Sequence, residues 1–298
     1  MTQRYRDRIT RVVETLGTAG DWIKRDRLSP PPEATGEIGR LLWSDPPPLI
    51  HPRGRFIVVF SAKSACTNVL IWFLTQLGHA RAARDFHIWP HEYRTTVYYY
   101  SNLYRNAFQS DLRQFKVIRV VRDPFDRAAS SFRHVVRYDV CDGAINRRVG
   151  RRSMERDGLS FSEFLSFLDR TDLRTCDPHL AVQRHPIEDK LKVDYLINVS
   201  RDNLFERLNR IEVELDLKPT RLEKDRWVKA LRTHNRPQGE LDERIDIYTH
   251  RLTRDQAASG PWPSVKALLT EEAQARIAKL YARDIESYTE WAEPARLR

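Results

Sequence analysis

The chain has 298 residues, 41% hydrophobic and 31% charged, which suits one large α/β core and is the composition of a globular, not a disordered, chain. Its formal net charge of +10 raises nucleic acid as a partner, but the arginines are interleaved with Asp and Glu along the chain, so none is expected. No apolar run is long enough to span a membrane, and Cys66, Cys141 and Cys176 show no C-x-x-C spacing, so neither a disulfide framework nor a metal site is indicated.

Residues 4–27 read as a charged amphipathic helix, and 29–54 as a proline-rich linker or wrapping arm. The expected organisation is an arm over 1–54 and a single domain over 55–298. Met1 to Gly20 has no apolar core of a signal peptide, so a cytoplasmic location is expected. Phe56 to Phe60 is an apolar, β-branched run of strand length. Ser61 to Thr67 is small and polar with one cation, Lys63. Val69 to Leu77 reads as a buried helix stopped by Gly78. An aromatic-rich stretch follows from Trp89 to Tyr104, open to either sugar stacking or core packing, and then a helix over 103–114.

Val117 to Val121 reads as a second buried strand that turns at Arg122-Asp123-Pro124 into a helix. Asp123 suits the N-cap, and Pro124 the first helical position. Residues 137–160 read as an irregular insertion, with the pairs Arg147-Arg148 and Arg151-Arg152 on a loop, and Phe161 to Leu168 as a short helix. Val193 to Val199 forms a third strand, Arg201 to Leu215 its helix, and 270–290 a C-terminal helix. Alternating strands and helices imply a P-loop-like, three-layer α/β fold with a central parallel sheet, whose ligands sit at the carboxyl ends of the strands.

Two such ends carry chemistry. At Ser61–Thr67 a strand, a small-residue loop and a helix form the layout of a phosphate cradle: backbone N–H groups, a lysine and a hydroxyl. It is not a Walker A loop, because Ser61 to Asn68 contains no glycine. At Arg122 a helix N-terminus adds its dipole and free N–H groups to a guanidinium fork, with the Ser130 hydroxyl two turns on.

Together the segments resemble the cofactor motifs of sulfotransferases that use 3′-phosphoadenosine 5′-phosphosulfate (PAPS), in the carbohydrate (sulfotransferase family 2-like) branch. AKSACTN, Ala62 to Asn68, is similar to that branch's 5′-phosphosulfate loop. RDPFDRAASSF, Arg122 to Phe132, matches its 3′-phosphate pattern R-D-P-x-x-R-x-x-S-x-F at each fixed position. DPHLAVQ, Asp177 to Gln183, keeps the His and Gln of a D-x-H-W-x-P-Q element but has Leu180 and Val182 for its Trp and Pro. Val193 to Ile211, Thr233 to Arg236 and Leu280 to Tyr288 resemble later elements, so the likeness runs over roughly 55–290. Lacking the membrane anchor of animal members, the chain looks like a bacterial-type soluble relative.

The resemblance implies in-line transfer of a sulfuryl group from PAPS, as co-substrate and without a metal, to a hydroxyl of a carbohydrate or glycolipid acceptor. Lys63 would stabilise the leaving phosphate. Backbone N–H groups of Ser64, Ala65, Cys66, Thr67 and Asn68, with the Thr67 hydroxyl, would hold the 5′-phosphosulfate. Arg122 and Ser130 would grip the 3′-phosphate. Arg127 serves equally as ligand or as structural partner of Asp123, and Cys66 is read as a packing residue. A histidine is the default general base. His91, which heads His-Glu-Tyr-Arg, ranks first and His87 next; Glu92, Asp85, His134 and His179 are alternatives. The competing readings are a kinase or NTPase with an atypical P-loop, and a non-enzymatic polyanion binder. Acceptor identity, oligomeric state and peripheral membrane contact are left open by the sequence.

Overall fold

The computed structural model describes residues 33–150, 154–234, 239, 241, 246–258 and 260–292. The expected helix over 4–27 and the Arg151-Arg152 pair lie outside the described residues. Glu33–Arg298 is one compact unit. In chain order, the elements that bear on the site are α1 (Gly36–Leu42), β1 (Leu49–His51), β2 (Phe56–Phe60), α2 (Cys66–Gln76), α3 (Pro90–Tyr93), β3 (Lys116–Val121), α4 (Pro124–Arg137), α5 (Asp142–Val149), α6 (Phe161–Leu168), β4 (Tyr195–Asn198), α7 (Leu204–Glu214), α8 (Glu271–Leu280) and α9 (Ala282–Ala292).

The fold is α/β, and the sheet order is β1-β2-β3-β4. β2, β3 and β4 are parallel, with Phe60 opposite Val120 and Val121 opposite Asn198. β2 is buried at every position, and so is β3 after Lys116. Strands of this kind have both faces covered by helices, the three-layer arrangement that their continuous apolar runs imply. The parallel register brings the carboxyl ends of β2 and β3 side by side, so Ser61–Ala65 and Arg122–Asp123 leave the sheet at the same edge.

Residues 33–54 do more than wrap. They supply α1 and the edge strand β1, which pairs antiparallel with β2. Its three residues, between Pro48 and Pro52, are too few to display a strand period. Tyrosines fasten this edge: Tyr98 Oη donates to Ile50 O and accepts from Ile50 N, both at 2.8 Å, and Tyr99 and Tyr104 donate to the carbonyls of Pro47 and Pro48. Tyr98, Tyr99 and Tyr104 are buried, so this part of the aromatic stretch packs the core and offers no face to a sugar. Tyr100 alone of the run 98–100 is exposed.

Two further expectations change. The insertion over 137–160 contains a helix, α5, and Arg147 and Arg148 sit in its last turn, where they complement the helix dipole. The C-terminal helix is two helices, α8 and α9, parted at Tyr281. The second aromatic core, Phe132 with Phe161, Phe164 and Trp262, packs α4 against α6. α4 is thereby fixed along its length, and its first turn is held rigidly beside the sheet edge. Among the described residues no helix is long and apolar enough to cross a membrane.

Candidate active site

The loop after β2 lacks glycine yet adopts glycine-like backbone. Lys63 has φ 68° and Ala65 φ 57°. Each left-handed L-residue costs about 1–2 kcal/mol, and such strain persists only where the surroundings hold it. Here they do. Ser64, between the two, is fully buried, and its hydroxyl donates to Gln183 Oε1 at 3.0 Å. Ser61 Oγ donates to Gln183 O at 3.2 Å. Arg127 Nε donates to Ala62 O at 3.0 Å and Arg127 Nη2 to Pro178 O at 3.2 Å. Arg127 is itself buried, so of its two candidate roles it takes the structural one, with the loop rather than Asp123 as its side-chain partner.

This coiling leaves donors open. Ser64 N bonds to Ser61 O and Asn68 N to Ala65 O. The amides of Lys63, Ala65, Cys66 and Thr67 donate to no backbone or side-chain acceptor among the described residues, and the last two open the 11-residue helix α2. These open donors are what an anion cradle at this segment would use, with a shift in membership. Lys63 N joins it, while Ser64, with its amide bonded and its side chain inward, and Asn68 N, turned into the helix, do not. α2 ends where Gly78, at φ 76°, closes a left-handed cap with His79 N on Leu74 O.

The Lys63 ammonium makes no hydrogen bond or ion pair among the described residues. Burial pushes its pKa down to about 8; Arg122, Arg133 and Arg127 push the same way, and Cys66 acts against them. A desolvated lysine with no anionic partner, in a loop whose amides are open, makes a site short of negative charge.

The second strand end is built differently. Arg122 N donates to Gln183 Oε1 at 3.0 Å, and Asp123 N to Ser200 Oγ at 3.1 Å. Asp123 caps α4 by accepting from Phe125 N and Asp126 N through Oδ1, while Arg127 N returns to Asp123 O. The free N–H groups expected here are thus all occupied, by the N-cap that the sequence itself supplies. What remains for an anion is the Arg122 guanidinium, whose Nη1 also donates to Lys63 O at 3.3 Å, and half-buried Ser130 on α4. The two strand ends meet at that contact.

Of the predicted histidines, His91 on α3 reaches the cradle: its Nε2 lies 3.1 Å from Thr67 Oγ1 and 3.8 Å from Cys66 Sγ. Burial first, then Arg94, His179 and Lys63, hold its pKa well below the ordinary histidine value. His87 is exposed and accepts from Trp89 N at 3.1 Å, a local turn contact, and among the described residues its side chain makes no hydrogen bond to the loop. His179 forms a dyad with Asp177, Nδ1 to Oδ1 at 2.8 Å, and stacks on His134 at 3.9 Å between ring centroids. Arg127, bridging Ala62 O and Pro178 O, ties the residue between the two members of this dyad to the residue before Lys63.

Sequence reasoning noted Gln183 only as part of a motif and missed Asp284 and Arg119. Asp284, in the first turn of α9, accepts Gln183 N at 2.8 Å and Arg184 N at 3.2 Å. Arg119, fully buried in β3, pairs with buried Glu188 at 2.9 Å and donates to Ser61 Oγ at 3.3 Å, beneath the loop. An arginine inside a continuous apolar strand was the available signal. Val182, where the family element has proline, donates its N–H to Leu173 O at 2.8 Å; proline could not.

The pattern of the sulfotransferase family matches residues 49–289. This chain belongs to the sulfotransferase family. Searches of curated proteins and of solved structures find no match. The matched span opens at β1 and closes in α9, so it takes in both strand ends, the Asp177–Gln183 segment and the Asp284 carboxylate. As a sulfotransferase the protein transfers a sulfuryl group to an acceptor.

Proposed function

We propose that this sulfotransferase takes its sulfuryl group from PAPS and passes it to a hydroxyl of a saccharide or glycolipid. The observation that carries the donor assignment is the pairing of two anion half-sites at adjacent strand ends, an open-amide cradle with Lys63 and a guanidinium, Arg122, against the Lys63 carbonyl. PAPS carries phosphate groups at both ends of one ribose. The cradle receives the 5′-phosphosulfate, and Arg122 with Ser130 the 3′-phosphate. The saccharide assignment rests on the motif resemblance alone.

In the proposed mechanism the acceptor oxygen attacks sulfur in line, the S–O bond to the 5′-phosphate breaks, and adenosine 3′,5′-bisphosphate leaves. Charge grows on the bridging oxygen as it departs. Preorganised amides of Lys63, Ala65, Cys66 and Thr67, with the Lys63 ammonium, stabilise that charge without reorienting. His91 takes the acceptor proton in this reading, supported by its contact with Thr67. The Asp177–His179 dyad favours a second assignment, because a carboxylate on Nδ1 leaves Nε2 as the basic atom. The proposed setting is the cytoplasm, in keeping with three free thiols.

Calorimetry tests the donor assignment. Adenosine 3′,5′-bisphosphate should bind far more tightly than 5′-AMP, and Arg122→Ala should remove about 10- to 100-fold of that preference, the scale of a charge-assisted hydrogen bond. Equal affinity of the wild-type protein for the two nucleotides would refute it.

A further inference from the structure

Gln183 is 5% exposed, and each of its polar groups has a partner. Its backbone N–H donates to both Asp284 oxygens at 2.8 Å, and its carbonyl accepts from Ser61 Oγ and Arg119. Its side-chain amide faces the two strand ends at once. Oε1 accepts from Ser64 Oγ and from Arg122 N, both at 3.0 Å, and Nε2 donates to Arg122 O at 2.8 Å. One planar group therefore holds both backbone polar groups of Arg122 and the residue between the two left-handed positions of the cradle.

We infer that Gln183 is a positioning residue that couples the two phosphate half-sites, so that each phosphate of one nucleotide strengthens the binding of the other. The inference rests on the donor reading above and adds a property that reading does not require.

The physical argument follows from what each bond fixes. The Arg122 N–H and C=O both end on the same amide, so that residue cannot rotate without breaking both bonds. Its guanidinium is thereby aimed from a fixed backbone, with Nη1 on the Lys63 carbonyl. Ser64 is pinned to the same oxygen, and pinning it maintains the positive φ of Lys63 and Ala65 that turns the cradle amides outward. A phosphate that orders either end orders Gln183, and Gln183 then presents the other end already formed. Binding a second group to a preordered site carries a smaller entropy loss. Glutamine is suited to this place by chemistry: a carboxylate has no donor for Arg122 O, and asparagine is one methylene short. Arg127 braces the same loop from Ala62 and Pro178 but makes no hydrogen bond to Arg122 among the described residues, so it gives the loop support without joining the half-sites.

The test uses three commercial nucleotides and calorimetry on the full chain. The affinity ratio of adenosine 3′,5′-bisphosphate to 5′-AMP reports the 3′-phosphate contribution, and its ratio to 3′-AMP reports the 5′-phosphate contribution. Gln183→Met keeps the volume and removes the amide; both ratios should fall about tenfold, the scale of one to two lost orienting hydrogen bonds. Ser64→Ala is the milder and more telling variant, because Ser64 has no bond to Arg122. It should lower the 3′-phosphate contribution about threefold or more although it alters only the 5′ loop, with thermal melting used to establish that the variant is folded. A Ser64→Ala protein whose 3′-phosphate contribution is unchanged overturns the coupling, as does a folded Gln183→Met protein that loses only one ratio or neither. Failure of the wild-type protein to distinguish the bisphosphate from 5′-AMP overturns the donor reading instead.

Discussion

Raising the pH from 7 to 9.5 should weaken binding of adenosine 3′,5′-bisphosphate about thirtyfold, through Lys63 alone. Burial lowers its pKa from 10.5 to about 8 in the free protein, and Arg122, Arg133 and Arg127 add to the effect. That displacement corresponds to about 3 kcal/mol against carrying the charge. The sign follows from linkage. A cation whose folded pKa is depressed destabilises the folded protein fully below about pH 8, and the penalty fades as pH rises toward the ordinary lysine value. A bound anion reverses the balance: it favours the charged form and restores the pKa toward 10.5. Affinity is then flat below pH 8 and falls by up to tenfold per pH unit above it, with proton uptake on binding. Calorimetry across this range, in buffers of differing ionisation enthalpy, reads both the slope and the uptake. The nucleotide's phosphates, with second pKa values of about 6, are about nine-tenths ionised or more throughout, so they add little slope, and that of opposite sign. A flat affinity from pH 7 to 9.5, or the same slope in Lys63→Met, would refute the reasoning.

The catalytic base is separable from the binding machinery. His91→Asn should lower turnover of PAPS by 10²- to 10⁴-fold while leaving bisphosphate affinity within a few-fold, in a radiolabelled sulfate-transfer assay over an acceptor panel; if His179→Asn causes the loss and His91→Asn does not, the dyad is the base. Ala65→Gly should raise the melting temperature by a few degrees, because glycine adopts φ 57° without the roughly 1 kcal/mol penalty of an L-residue, and should weaken bisphosphate binding by loosening the cradle. A melting temperature that falls, or affinity that rises, contradicts the strain argument.

Much of the sheet was legible because β2, β3 after Lys116 and the second half of β4 are buried, and the strands read as apolar runs. β1 was not, because its pairing depends on tyrosines about 50 residues away rather than on any local period. The site divides along the same line. Lys63, Thr67 and Arg122 could be named from strand–loop–helix order, since that order decides where a loop points. His91 could be chosen over His87 only by motif, and four residues of chain separate a cradle contact from an exposed turn. The amide inventory was illegible: whether Phe125 N and Asp126 N are free depends on the Asp123 rotamer, and a good N-cap is the residue that consumes them. Gln183 and Asp284 lie 101 residues apart in sequence, and their bond exists only in three dimensions.

The contrast between the two half-sites fits the different demands that the proposed reaction makes on them. The 3′-phosphate carries the same charge before, during and after transfer, so interactions with it bind substrate, transition state and product alike; they set affinity and selectivity but not rate. A side-chain guanidinium at a turn with no open amides meets that need. The 5′-phosphate is different, because it gains charge as the S–O bond breaks. Only donors already aimed before the bond breaks can stabilise the transition state more than the ground state. The cradle has such donors: four open amides held outward by two strained residues and a buried serine. Strain is therefore concentrated at the strand end where charge develops and is absent from the one where it does not. On this reasoning the glycine-free sequence of Ser61 to Asn68 is a consequence of function, since glycines would relieve the strain but would leave the amides free to turn.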